Sequence, residues 1–296
     1  MMPHPPSFHL YPPTGGTAAP VLLDSPHSGF DWPPDFQPAA PRAAIRTSCD
    51  AFVDELWADA PAAGATLLAA TFPRAYLDLN RAETDIDPAL LAAPWPGPLA
   101  PTDYSRRGMG LIRRFALPGI PMESAPLSVA AVEHRLAHHY RPYRAALGAT
   151  LTALHARHGA AYHLNLHSMK SRGNEMNLDD GAPRPDIVVS DRLGTTAAPA
   201  LTAWLAARFR TASLSVQIND PYRGGDLVGT FGRPALGFHS IQIELNRALY
   251  LDEATYERGP GFAALRTTLA AVTHDFCAYV RSLPSAPVHP VGSTPA

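Results

Sequence analysis

Two histidines at the ends of apolar runs are the residues here best suited to chemistry. His27 lies in "VLLDSPHSGF" (21–30), between a proline and a Ser-Gly pair, and His167 lies in "HLNLHSM" (163–169). One histidine in such a place is ordinarily a satisfied turn or core residue. Two runs that each end in His-Ser suggest a pair of ligands instead. A catalytic zinc takes about three protein ligands from His, Asp and Glu and leaves one position open, so a carboxylate is wanted nearby. "CDAFVDEL" offers Asp50 and Asp54, four residues apart and so on one face of a helix. The bland alternative for either is a first-turn acid facing the helix dipole, and for each taken alone the two readings are evenly balanced.

A proton acceptor is the next requirement. In "SIQIELNR", Ile241, Ile243 and Leu245 point one way while Gln242, Glu244 and Asn246 point the other. A carboxylate buried in mid-strand is costly unless paired or functional, and in a metal hydrolase Glu244 would be the general base. His239 is expected to reach the same pocket. Two further stretches could hold an anion. "YLDLNRAETD" carries Asn80 and Arg81, and "NDPYRGGDLVGTFG" carries Asn219, Arg223, Gly224 and Gly225. Arginine grips carboxylates with a planar two-pronged contact, and paired glycines let backbone approach a ligand closely. A serine nucleophile at Ser28 or Ser168 is disfavoured, because neither stands in a Gly-x-Ser-x-Gly elbow.

The elements that must position these groups alternate. Short apolar strands are predicted at 20–25, 65–71, 161–168, 186–190, 213–219 and 238–246. Long helices are predicted at 47–63, 128–158, 195–210 and 252–282, with Pro142 kinking or splitting the second. Helical crossovers between buried strands imply a three-layer α/β/α fold around a mixed, mostly parallel sheet. In such sheets sites gather beyond the carboxyl ends of the strands, where His27 would fall. Residues 1–19 and 284–296, rich in Pro, Gly, Ser and Thr, read as extended tails flanking one catalytic domain over 20–283.

Composition excludes other classes. A formal charge of -2 offers no basic field for nucleic acid or an anionic membrane surface. Of 24 basic residues only Lys170 is a lysine, a bias of composition rather than of function. Two cysteines make no disulfide framework, no run approaches the roughly 20 apolar residues of a membrane span, and the N-terminus lacks a signal-peptide pattern. The expected address is the cytoplasm.

The ordered set "SPHSG", "CDAFVDEL", "AYLDLNR", "YRPYRAAL", "HSMKS" with "PDIVVSDRLGT", "NDPYRGG" with "FGRP", and "FHSIQIELNR" resembles the N-formylglutamate amidohydrolases over residues 20–250. That resemblance implies a zinc-carboxypeptidase-like fold and one zinc ion held by His27, Asp50 and His167, with Asp54 as second choice or supporting partner. It further implies Glu244 as base, Asn80 and Arg81 on the substrate carboxylate or developing oxyanion, and hydrolysis of a small anionic N-acyl amino acid, N-formylglutamate, as in histidine degradation. The chain departs from the family pattern at Asn165, where an Asp is usual. It departs again at Asp226, which replaces an aromatic and is followed by no arginine before Phe231, and this predicts weaker binding of a doubly anionic ligand. The rivals are a carboxypeptidase or cell-wall amidase of the same architecture, and a non-catalytic binding protein; the complete His, Asp, His, Glu set argues against the second.

Overall fold

Alternating apolar residues in the predicted strands need cover on both faces, and the chain supplies it with two sets of helices. A computed structural model describes residues 6–15, 17–173, 179 and 181–284 of the 296-residue chain. Among the described residues nine strands form: β1 Phe8–Tyr11, β2 Val21–Ser25, β3 Thr66–Ala70, β4 Phe115–Leu117, β5 Ile120–Pro121, β6 Ala161–Met169, β7 Ile187–Ser190, β8 Val216–Ile218 and β9 Phe238–Asn246. Apart from the small β4–β5 hairpin they make one seven-stranded sheet, ordered β1-β3-β2-β6-β9-β7-β8. The β3–β2, β2–β6, β6–β9 and β7–β8 pairs are parallel, and β1–β3 and β9–β7 are antiparallel. The helices are α1 Arg42–Arg46, α2 Val53–Leu56, α3 Asp103–Arg106, α4 Val129–Arg135, α5 Arg141–His158, α6 Pro199–Thr211, α7 Asp226–Phe231 and α8 Phe262–Ser282.

Strand alternation divides the core. Val21, Leu23, Leu164, Leu166, Ile241 and Ile243 pack with α2, α6 and α8 on one face. Leu22 and Leu68 pack with Tyr143, Leu147 and Leu151 of α5 and with Leu227 of α7 on the other. The result is the mixed, mostly parallel α/β sandwich expected from the sequence. On the α5 face the central strands are polar rather than apolar: Asp24, His163, Asn165, Ser240, Gln242 and Glu244 are all buried there. Burial of so many polar groups is tolerable only if they satisfy one another. Asp24 does much of this, taking Nε2 of His163 at 2.6 Å, the Asn165 amide at 2.8 Å and the Tyr143 hydroxyl at 2.9 Å.

Several local expectations are corrected. Residues 8–11, expected in an extended tail, pair along β3. Of the helix expected at 47–63 only Val53–Leu56 forms, because the Asp50 amide donates to the His27 carbonyl and Phe52 takes φ 64°. The helix expected from 252 begins at Phe262; Tyr256 at φ 58° instead brings its hydroxyl to Arg247. The helix expected at 128–158 is split as expected ahead of Pro142: α4 ends at Arg135, a π-helical turn spans Leu136–Tyr140, and Pro142 sits in the first turn of α5. Residues 1–5 and 285–296 of the expected tails lie outside the described residues.

Candidate metal centre

His27 follows β2 directly, and its loop is seated by Gly29: a Cβ there would lie 2.1 Å from the backbone of Thr71. Only glycine lets the loop cross the chain leaving β3 so closely, which explains why His27 stands before Ser-Gly. His167 sits near the end of β6, in register with Glu244 on β9. The loop before α2 carries Asp50 into the gap between them.

Three ligand atoms converge. Nδ1 of His27 is 3.1 Å from Nδ1 of His167, and Asp50 Oδ2 lies 3.4 Å from the first and 3.1 Å from the second. The opposite ring nitrogens are engaged: Nε2 of His27 meets Asp78 Oδ1 at 2.7 Å, and Nε2 of His167 meets Asn165 Oδ1 at 2.7 Å. A proton on each Nε2 satisfies these short contacts to oxygen, and both Nδ1 lone pairs then face each other and a carboxylate oxygen. Three lone pairs aimed at one point repel unless a cation sits among them. Ligand bonds of about 2.0–2.1 Å in a tetrahedral centre separate the ligands by about 3.3 Å, which fits this triangle. Among the described residues it is the one group of His, Cys, Asp and Glu with such convergence.

The surroundings hold these groups in place. Asp50 Oδ1 accepts from Arg247 Nη2 at 2.9 Å, while Arg247 also donates to the carbonyls of Thr47 and Cys49. Burial works to raise the Asp50 pKa, but the His167 and His27 contacts and Arg74 outweigh it and hold the carboxyl well below its usual range. Asp78, equally buried, is held well below by Arg74, whose Nη2 lies 2.6 Å away, and by His27. Glu244 behaves oppositely. Burial, with Asp50 adding to it, pushes Glu244 up to about 7, and its Oε1 accepts from Gln242 at 2.8 Å. A buried carboxyl near neutrality beside a cation site is suited to exchanging protons.

A cavity of about 120 Å³ opens over this centre, lined by His27, His167, Glu244, Arg81, Arg223 and Tyr104 among others. Arg81 stacks on Tyr104 at 4.1 Å and donates through Nε to the Met109 carbonyl. Asn80 also lines the cavity, but its amide is committed: Oδ1 accepts from the Leu227 amide and Nδ2 packs against His167, Asn165 and Gln242. Gly224 and Gly225 line it too. The close approach Gly225 permits is to Asn80, since a Cβ on it would lie 2.3 Å from the Asn80 Nδ2, whereas Gly224 packs beside Val228 and Arg192.

Three expected residues are elsewhere. Asp54 stands outside the triangle; its amide donates to Ser28 Oγ. Asn219 braces Asp191 through side-chain and backbone contacts and does not line the cavity. His239 is on the opposite face and at the opposite end of β9, stacked on Tyr162 at 5.2 Å, because odd-numbered residues of that strand face α6 and α8. Asp226 is likewise corrected: it pairs with Arg144 at 2.7 Å and adds no free charge to the cavity. Asp78, Arg74 and Arg247 are the residues missed by the sequence reading. Asp78 had one legible signal, its place two residues before Asn80 in "LDLNR", but the arginines had none. Ser28 and Ser168 serve as hydrogen-bond acceptors, for Asp54 and for Arg247.

Known proteins resemble this chain over most of its length. Residues 19–251 match the family model described as N-formylglutamate amidohydrolase. The chain is 29% identical to an N-formylglutamate deformylase of Pseudomonas aeruginosa over 79% of its own length and 83% of the relative. It is 44% identical, with a TM-score of 0.89, to a crystal structure of an N-formylglutamate amidohydrolase from Ralstonia eutropha, covering 93% of this chain and 98% of that one. A structure from Agrobacterium tumefaciens shares the fold at a TM-score of 0.68 and 16% identity, over 94% and 97% of the two chains.

Proposed function

The chain belongs to the N-formylglutamate amidohydrolase family, and from that premise we propose that it hydrolyses N-formylglutamate to formate and glutamate with one zinc ion held by His27, Asp50 and His167. The observation that carries this reading is the triangle of three facing lone pairs, with a near-neutral carboxyl beside it. A zinc ion at that point supplies Lewis acidity to the acyl oxygen and to water.

The remaining work falls to the chain. Glu244 accepts the proton of the attacking water on its carboxylate and returns it to the leaving amine nitrogen. As the carbonyl becomes tetrahedral, negative charge grows on its oxygen, and Arg81 is placed in the cavity wall to balance it. Arg81 and Arg223 also attract the substrate carboxylate. Asp78 and Asn165 keep each imidazole in the tautomer that presents Nδ1. Residues 20–283 act as one catalytic domain, and the site of action is the cytoplasm; no helix among the described residues is long and apolar enough to cross a membrane.

Metal analysis of the purified protein, coupled to glutamate release from N-formylglutamate, tests the proposal. One zinc per chain and chelator-sensitive turnover are expected. Full turnover and stoichiometric zinc in His27→Ala would overturn the assignment.

A further inference from the structure

Beside the catalytic cavity lies a second chamber of about 110 Å³ that shares Arg74, Ser168 and Tyr222 as a common wall. Its lining includes Arg74, Arg113, Lys170, Arg184 and Arg247 and, among the described residues, no Asp or Glu. Three of these cations are answered elsewhere: Arg74 by Asp78, Arg247 by Asp50, and Arg184 by Asp179 at 2.7 Å. Arg113 and Lys170 have no ion-pair partner among the described residues. Arg113 is only 7% exposed, and its Nε is buried without any hydrogen-bond partner. A buried, unpaired guanidinium is expensive, and burial pushes the Arg113 pKa down to about 9. A fold that retains such a group beside its proposed catalytic centre, in a chamber whose charged side chains among the described residues are all cationic, is prepared for an anion.

We infer that the chamber lined by Arg113 and Lys170 receives the side-chain carboxylate of an N-acyl dicarboxylic amino acid while the acyl amide lies over the metal centre. The inference rests on the proposed amide hydrolysis and names what selects the acidic substrate. Arg223 remains for the main-chain carboxylate, and the arm beyond Cα passes between Arg74, Ser168 and Tyr222, which line both spaces. Because Asp226 is paired with Arg144, no acid opposes the second negative charge.

Two arms test it. In the first, Arg113→Met and Lys170→Met are assayed on N-formylglutamate and on N-formylglutamine. Each variant should raise KM for the acidic substrate on the order of 10²-fold, with kcat held within a few-fold, as expected for truncating one member of a buried charge pair. The neutral substrate should change by less than about threefold. Arg113→Met should also raise the Tm of the unliganded protein, since it removes an unpaired buried charge; a structural role would lower it. Lys170 is only half-buried, so its variant carries the test if Arg113→Met fails to fold. In the second arm, calorimetry measures glutarate and butyrate binding to the zinc-loaded protein and to Lys170→Met. Preference for glutarate that disappears in Lys170→Met supports the inference even if no N-formyl amino acid is hydrolysed, an outcome that would remove the proposed reaction alone. Equal losses on both substrates, or glutarate binding untouched by the substitution, would overturn it.

Discussion

At the scale of residues, the site divides into groups whose type announces their use and groups that act only through others. His27, His167 and Glu244 were legible because each ends or interrupts an apolar strand. Asp78, beyond its place in "LDLNR", and Arg247 were not, because their importance lies in which side chain they touch. Asp78→Asn tests the first of these. It would keep the shape but weaken the hold on the His27 Nε2 proton, and zinc affinity should fall about 10–100-fold in competition with a chelator. Glu244→Gln should cost on the order of 10²–10⁴-fold in kcat. It should also change stability with pH in the metal-free protein. The folded carboxyl titrates near 7 against 4.5 ordinarily, so the folded state holds its proton longer than the unfolded chain. Stability is therefore lost as pH rises from about 4.5 to about 7 and stays lost above. The glutamine variant escapes this, and thermal scans should show it the more stable of the two at pH 8, with the difference closing by pH 4. A constant difference across that range would contradict the burial of an ionisable Glu244.

At the scale of elements, strands were legible and helix starts were not, for a physical reason visible at two places. Residues 47–63 have helical spacing, yet Asp50 is tied to the His27 carbonyl and Phe52 turns left-handed, so regular helix waits until Val53. Residues 252–261 likewise spend their length carrying Tyr256 to Arg247. Tertiary contacts override local preference in both. His239 shows the opposite error, where strict alternation already placed it on the wrong face for the site. Asn165 is the informative departure. Its amide donates to Asp24 and its oxygen faces His167, so an acid stands one strand away, on β2. Asn165→Asp would set two buried carboxylates together with no proton donor between them. We expect a loss of about 3 kcal/mol or more in unfolding free energy, growing as pH rises. Gly29→Ala, meeting the Thr71 backbone at 2.1 Å, should lower both Tm and zinc affinity, since the loop that carries His27 could no longer seat.

At the scale of the molecule, a formal charge of -2 hides a strongly basic chamber, because net charge averages over the surface. The same distinction between sum and site governs stability. Opposed lone pairs of His27 and His167, with the Asp50 carboxylate, are strain that β2, β6 and the loop before α2 must jointly withstand when no ion is bound. A cation that binds only the folded arrangement stabilises the whole chain by RT ln(1 + [L]/Kd), about 4 kcal/mol at a thousandfold excess over Kd. For a chain of this size that corresponds to a Tm rise on the order of 10 °C. Scanning calorimetry of chelator-treated protein, with and without added zinc, should show such a rise. His27→Ala should lose most of the increment, because two ligands bind the ion far more weakly than three. The two metal-free proteins should melt within a few degrees of each other, the variant having exchanged a repulsive contact for a small void. An equal zinc-dependent rise in both proteins would place the ion somewhere other than between these strands.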